Sequence, residues 1–325
     1  MPADQPLAEL PVLRLGLLGF SAAQQAMLET ALVVLRTRLR WRICGIDEAD
    51  AICVNGSRVA PLPDGSLQIA PVKPGQAPLR IDPDHSDRPM AFSLPMAAGV
   101  QATSTFDMAS PASTRSMLEK FEGWLRPVSV QFCLASRIVQ SRMDLSGTVY
   151  HVTVDGRLVA VVSRSNGVGV LPIADPFHLE GAQWAKRPVL ADEIPGHFVH
   201  VGMSQALWQY AMRTQRDLLP TYFRSSPIYW CRSPQLPQRL FRDSHLMIGR
   251  ELARSPMTFA DLGKRTGLPE AVLARDLAGL RIVGAVTHDR KQALRLRDKP
   301  FVRSRGTAEP AGDMTAPAPL APQDS

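Results

Sequence analysis

Cysteine is scarce in this chain of 325 residues: Cys44, Cys53, Cys133 and Cys231 are the only four, and none stands in a CxxC or other ligand spacing. That scatter excludes a disulfide framework and a structural zinc site, and it reads as reduced, mostly buried thiols. No run of about twenty apolar residues occurs, which excludes a membrane-spanning helix. The opening stretch MPADQPLAELP carries acids and prolines where a secretory signal needs a basic start and an apolar core, so a cytoplasmic location is expected. There is no phosphate-cradling loop, no GxSxG elbow and no nucleophile beside a base, and SNGVGVL has two glycines without the helix that should follow them. A non-catalytic protein without a cofactor is expected.

What is present is an ordinary globular composition, 45% hydrophobic and 21% charged, with length for two or three domains that each bury a core. The charge is unevenly placed. Residues 236–306 hold fifteen Arg and Lys against seven Asp and Glu, whereas the whole chain carries +7, so the remainder is nearly neutral. A localised surplus of this kind neutralises phosphates or serves as a solvated basic surface.

The apolar run LRLGLLGF predicts a first strand, and Ser21 to Leu39 a long helix buried through Ala22, Ala26, Leu28, Leu32, Val33 and Leu35. Further strands are expected at WRICGI, AICVNG, LQIAP and MAFSLP, which makes residues 10–96 a small α/β domain. This order resembles a receiver domain of two-component signalling. That family needs acids after the first strand, an Asp ending the third and a Lys ending the fifth. Here those places hold Gly19, Phe20 and Ser21, then Asn55, then Ser93, Leu94 and Pro95. The resemblance therefore implies a degenerate receiver that docks partners without taking phosphate.

Residues 97–114 are rich in Ala, Ser, Thr and Met and read as a linker, after which residues 115–235 are expected to form an α+β central domain. Two helices are predicted first, from Ser116 to Leu125 and from Pro127 onward. TVYHVTV and RLVAVVS then flank Asp155 and Gly156, a pair suited to a type I′ turn, and a turn at Asn166 and Gly167 leads into GVGVLP, giving a β-meander. The passage LASRIVQSRMDLSGTVYHVTVDGRLVAVV resembles the PATAN modules of bacterial signalling proteins, which implies protein contacts and no catalysis. Pro172 to Gly202 reads as irregular, a helix capped by Ser204 runs to about Leu219, and Pro220 to Pro237 reads as a loop.

The segment from Ser244 to Arg297 carries the sharpest signal. SHLMIGRELARSP predicts one helix. Thr258, with Asp261 three residues on, caps a second; Gly267 ends it with a positive φ; and Pro269 opens a third. Leu273, Leu277 and Leu280 mark the inner face of that third helix, and Glu270, Ala271, Ala274, Arg275 and Ala278 its outer one. Val283, Ala285 and Thr287 are expected to pair with Ala293, Leu294 and Arg295 as a two-stranded wing. TFADLGKRTGLPEAVLARDLAGLRIVGAV resembles the winged helix-turn-helix of bacterial regulators of the IclR and MarR families. The resemblance implies a C-terminal winged helix over residues 236–300 and a recognition helix from Pro269 to Leu280. The alanines of its outer face can donate no hydrogen bond to a base edge. The DNA-binding residues expected on this reading are Lys264, Arg265, Arg275, Arg290, Lys291, Arg295 and Arg297. The Ala- and Pro-rich residues 306–325 are expected to be a disordered tail.

Other clusters have plainer readings. Asp82, Asp84, His85 and Asp87 in IDPDHSDRP lack the glycine and glutamate of a calcium loop and read as a turn. His197 and His200 lie in apolar HFVHVGM and read as packing residues. Tyr222, Phe223, Tyr229 and Trp230, interleaved with Arg224 and Arg232, suit an interdomain seal better than base stacking. Asp144 and Ser146, near Arg137 and Arg142, share the elements with which PilZ proteins hold cyclic dinucleotides, but the arginine spacing and the position of Gly147 depart from that pattern. The expectation is a cytoplasmic regulator that binds DNA, the alternatives being an adaptor for a regulatory protein partner and a cyclic-dinucleotide effector.

Overall fold

A computed structural model describes residues 8–297, apart from Arg36, Pro74, Gln101, Asp144, Ser146, Gly147 and Asp192 and the side chains of Val189 and Arg297. The chain is mixed α/β and begins with a parallel sheet. After β1 (Val12–Leu18), a capping box at Ser21 and Gln24 opens α1 (Ala22–Val34), which stops short of the expected Leu39 and, contrary to expectation, leaves Ala22, Ala26 and Val33 exposed. Then come β2 (Arg40–Cys44), β3 (Ala51–Asn55), β4 (Val59–Pro61), β5 (Leu67–Ile69), β6 (Leu79–Ile81), β7 (Met90–Ser93), β8 (Thr105–Phe106) and α2 (Pro111–Trp124). The main sheet has five parallel strands in the order β2-β1-β3-β7-β8.

Alternation along the central strands divides two apolar faces. Leu13, Leu15, Ala51 and Cys53 meet Leu28 of α1 and Met117, Leu118 and Phe121 of α2. Ile52 and Val54 look the other way, toward Val59, Leu67 and Ile69 of the small antiparallel sheet β4-β5-β6. That small sheet covers the face where a doubly wound fold places helices. Two expectations are corrected here. The fourth strand of the main sheet is MAFS, because LQI pairs antiparallel within the small sheet. Residues 97–114 are not a linker, since they contribute β8 and the start of α2, which Ser110 caps and which belongs to the first core.

The central layer holds α3 (Arg126–Gln140), β9 (Val149–Val154), β10 (Arg157–Ser163), β11 (Gly167–Val170), β12 (Gln183–Arg187), β13 (Val199–Val201) and α4 (Met203–Arg213). Asp155 and Gly156 both have positive φ (49° and 76°), as a type I′ turn requires. The meander β9-β10-β11 is extended at both edges into a five-stranded sheet, β12-β9-β10-β11-β13. Those edge strands come from residues 172–202, so that stretch is only partly irregular. Helix α4 is capped at Gly202 and ends at Arg213, earlier than expected.

The C-terminal layer contains α5 (Tyr222–Ser225), β14 (Tyr229–Trp230), α6 (Asp243–Arg254), α7 (Phe259–Thr266), α8 (Glu270–Ile282), β15 (Val286–Thr287) and α9 (Arg290–Arg297). Thr258 Oγ1 accepts from Asp261 N at 3.2 Å, and Gly267 ends α7 at φ 67°. Thr258→Ala removes the cap and is expected to cost about 1 kcal/mol, read as the shift in urea-unfolding midpoint. The expected wing is not formed. Strand β15 pairs with β14 instead, and Asp289 accepts from Lys291 N (2.8 Å) to open α9, so RKQALRLR is helical.

Helix α4 holds these layers together. Its Ala206 and Tyr210 sit in the central core, whereas Trp208, Ala211 and Met212 sit in the C-terminal core with Leu273, Leu277 and Ala278. A charged network joins the parallel sheet to both. Arg14 is buried on β1; its amide donates to Asp50 (3.0 Å) and its guanidinium to Met212 O (3.0 Å). Arg213 pairs with Asp50 at 2.5 Å, and Arg242 at the start of α6 pairs with Glu48 at 3.0 Å. No helix among the described residues is long and apolar enough to cross a membrane.

Candidate nucleic-acid interface

The basic residues singled out in the sequence separate into two places. Lys264 and Arg265 are exposed at the end of α7, and Arg290, Lys291 and Arg295 are exposed on α9. Between them lies Arg254, at the end of α6, which the sequence reading missed. Glu251 joins α6 to α7, with one carboxylate oxygen 3.2 Å from Arg254 and the other 3.2 Å from Arg265. Arg254 and Arg290 then border a groove of about 230 Å³ floored by Tyr229, Trp230 and Leu252. The outcome is an exposed basic ribbon that runs from α7 across α6 to α9. The side chain of Arg297 lies outside the described residues.

Arg275 is not part of this ribbon. It projects from α8 toward α4, and the helix around it is closed in: Ala274 is 7% exposed and Ala278 2%. The expectation that Ala274 and Ala278 face outward is corrected, whereas Glu270 and Ala271 are exposed as expected and Arg275 is half-buried. The cause is Gly279, whose bare Cα lets α4 approach so closely that a Cβ there would sit 2.3 Å from Met212 Cε and 3.3 Å from the Trp208 ring. With α4 laid along it, α8 is covered from Leu273 onward apart from the half-exposed Arg275, Arg281 and Ile282, and Glu270 and Ala271 of its first turn are exposed.

Beneath Trp208 lies a buried polar group that fixes α6 against α8. The amide of Arg242 donates to His245 Nδ1 (2.9 Å), and the Nε2 of that ring stands 3.3 Å from Asp276 Oδ1. Ser244 donates to Asp276 Oδ2 at 2.6 Å. Burial pushes the Asp276 carboxyl up, but contact with His245, Ser244 and Arg275 outweighs it and holds the group below its ordinary value of 3.8. A lowered folded value means that the ionised carboxylate stabilises the fold above that ordinary value, and this contribution disappears as pH falls through the folded one. Asp276→Asn is therefore expected to lose about 1–3 kcal/mol near neutral pH and to show a shallower acid limb below about pH 4 in urea unfolding. An acid limb identical to wild type would rule out this role.

The carboxyl ends of the parallel strands, where open α/β sheets take ligands, are filled by neutral groups. Asn55 Nδ2 donates to Gly19 O (3.0 Å), and its Oδ1 accepts from the Ser57 hydroxyl (2.8 Å). Ser93 accepts from Gly56 N at 3.3 Å. The aromatic segment closes the C-terminal layer: Phe223 is buried, Trp230 lies against Gly249, and Arg224 bridges Asp217 and Glu270.

The remaining candidates are local. Asp82 accepts from the amides of Asp84 and His85 and touches the His85 ring, which makes a self-contained turn. His197 stacks edge-on with Phe198, and His200 contacts Asn166 O. No three metal-ligating side chains converge among the described residues. Arg137 lies over the Trp184 ring, whereas Asp144, Ser146 and Gly147 lie outside the described residues. No family model, curated protein or solved structure matches this chain.

Proposed function

We propose that the chain is a non-catalytic regulatory protein whose C-terminal helix-turn-helix holds nucleic acid by its phosphate backbone, using the ends of α6 and α7 and the exposed side of α9. The observation that carries this reading is the basic ribbon of Lys264, Arg265, Arg254, Arg290 and Lys291. Guanidinium and ammonium groups on fixed helices position a duplex without reporting its sequence. Base reading by α8 would require α4 to leave it. Fluorescence anisotropy with two labelled duplexes of unrelated sequence tests the proposal: equal affinities that fall steeply with salt are expected. A large preference for one duplex, or no binding to either at low salt, would overturn it.

A second reading, an adaptor for a protein partner, draws on α1. Its outer face leaves Met27 45%, Val33 84% and Val34 70% exposed, and such an apolar surface is what a protein contact would cover. Salt separates the two readings, because an apolar contact persists under screening that removes a phosphate-driven one.

A further inference from the structure

Ala274 and Ala278 of α8 are turned from solvent, whereas Ala271 is exposed beside them. Between that face, the end of α4 and strands β1 and β2 lies a cavity of about 500 Å³, a volume typical of small-molecule sites. Six arginines line it: Arg14, Arg42, Arg213, Arg216, Arg224 and Arg275. Among the described residues the lining acids are Asp217 and Glu270, and Arg224 takes both, at 2.8 and 2.7 Å. Arg213 and Arg14 lean on Asp50 and Glu48 behind the wall, and Arg216 reaches Glu9 at 3.4 Å.

Two guanidinium groups remain. Arg42 has no carboxylate partner among the described residues. Arg275 comes no nearer than 3.8 Å to Asp276, an acid already engaged by Ser244 and His245, and its buried Nε makes no hydrogen bond. Burial first, then the neighbouring Arg213 and in smaller part Arg42, push Arg14 down to about 10 against the pull of Glu48 and Asp50. Guanidinium groups gathered around one recess repel one another, and an anion among them offsets that repulsion. Guanidinium forks match phosphate oxygens in pairs. The apolar floor of Ala274, Ala278 and Leu218, with Ala271 at its exposed rim, suits a flat organic body.

We propose that this cavity binds a small molecule bearing two or more phosphates, of the chemical class of nucleoside di- and triphosphates, with Arg42 and Arg275 as its phosphate contacts from different walls. The ligand touches the parallel sheet, α4 and α8 together, so its binding also stabilises their docking. This site is separate from the basic ribbon, and either can fail without the other.

Calorimetry on the full chain with ATP, inorganic pyrophosphate and inorganic phosphate tests the inference. Saturable binding of ATP and pyrophosphate is expected, with single phosphate weaker, and each binder should raise the thermal midpoint. Arg42→Gln with Arg275→Gln is expected to weaken binding about ten- to a hundredfold, whereas Arg290→Gln with Lys291→Gln leaves it unchanged. Ala271→Trp, at the exposed rim, should exclude ATP while pyrophosphate still binds. Absence of saturable binding by all three probes would overturn the proposal, as would full affinity in the Arg42 and Arg275 variant or an equal loss in the Arg290 and Lys291 variant. Should the double variant fail to fold, Arg42→Gln alone, on an exposed strand position, carries the same test.

Discussion

Replacing Lys264, Arg265, Arg290 and Lys291 together by Gln is expected to weaken duplex binding on the order of a thousandfold near 0.1 M salt. Each cation that sits on a phosphate displaces a condensed counterion, and the logarithm of the affinity falls by about 0.9 per contact for each tenfold rise in salt. Four independent contacts would set a slope of about −3.6. Arg265 already shares Glu251 with Arg254, at 3.2 Å to each, so its net contribution is smaller and a slope change nearer 3 is expected. All four residues are exposed, so the variant should unfold within about 0.5 kcal/mol of wild type per site. Arg275→Gln supplies the discriminating control. If α8 stays covered, this change leaves both affinity and slope alone; if α8 enters the groove, it costs about 1–3 kcal/mol and alters sequence preference. A quadruple variant that binds like wild type would remove the ribbon from consideration.

Much of the parallel sheet was legible because its strands are apolar on both sides: LRLGLL, AICVN and MAFS read as strands from composition alone. The Asp155-Gly156 turn and the Thr258 and Gly267 caps were legible because each needs a particular residue type. Strand β8 was not, since two paired residues among Ser, Thr and Met show no period. Strands β12 and β13 lie at sheet edges, where GAQWAKR and HFVHV carry polar residues that look like loop. The wing was misread because Asp289 could close a hairpin or cap a helix. Arg, Lys, Gln, Ala and Leu after it favour the helix.

The candidate site shows the same division. Clustered charge near the C-terminus is plain in the sequence, but Arg254 joins Arg290 only through the fold, across residues that periodicity cannot relate. The orientation of α8 was misjudged for an instructive reason. Counting leucines finds the most apolar face of a helix, yet small residues mark where another backbone comes closest. Gly279, placed mid-helix at a cost of about 1 kcal/mol relative to alanine, was the available signal that something packs there.

What packs there sets the second large effect. Trp208→Ala is expected to cost about 3–5 kcal/mol, a sizeable part of the stability of a globular domain. The indole is 1% exposed, tilted against Phe241 (5.7 Å between ring centres) and edge-on to His245 (4.8 Å), with Gly279 below it. Truncation leaves a void that the rigid neighbours fill only in part, and it removes the cover from the buried His245 and Asp276 pair, which water can then reach. Trp208→Phe keeps an aromatic edge in place and should cost less than half as much. Because α4 serves two cores, loss on its C-terminal side is expected to undock α6, α7 and α8 before the central sheet melts. Limited proteolysis should therefore cut first between Thr214 and Pro220, at the end of α4. A variant that unfolds within about 1 kcal/mol of wild type, with no new cleavage, would show that α4 does not hold α8. If α4 does release α8 in the alanine variant, duplex binding gives the decisive comparison. Unchanged affinity means that phosphate contacts on α7 and α9 are sufficient, whereas a gain in sequence preference means that α8 reads bases once uncovered and that α4 restrains it.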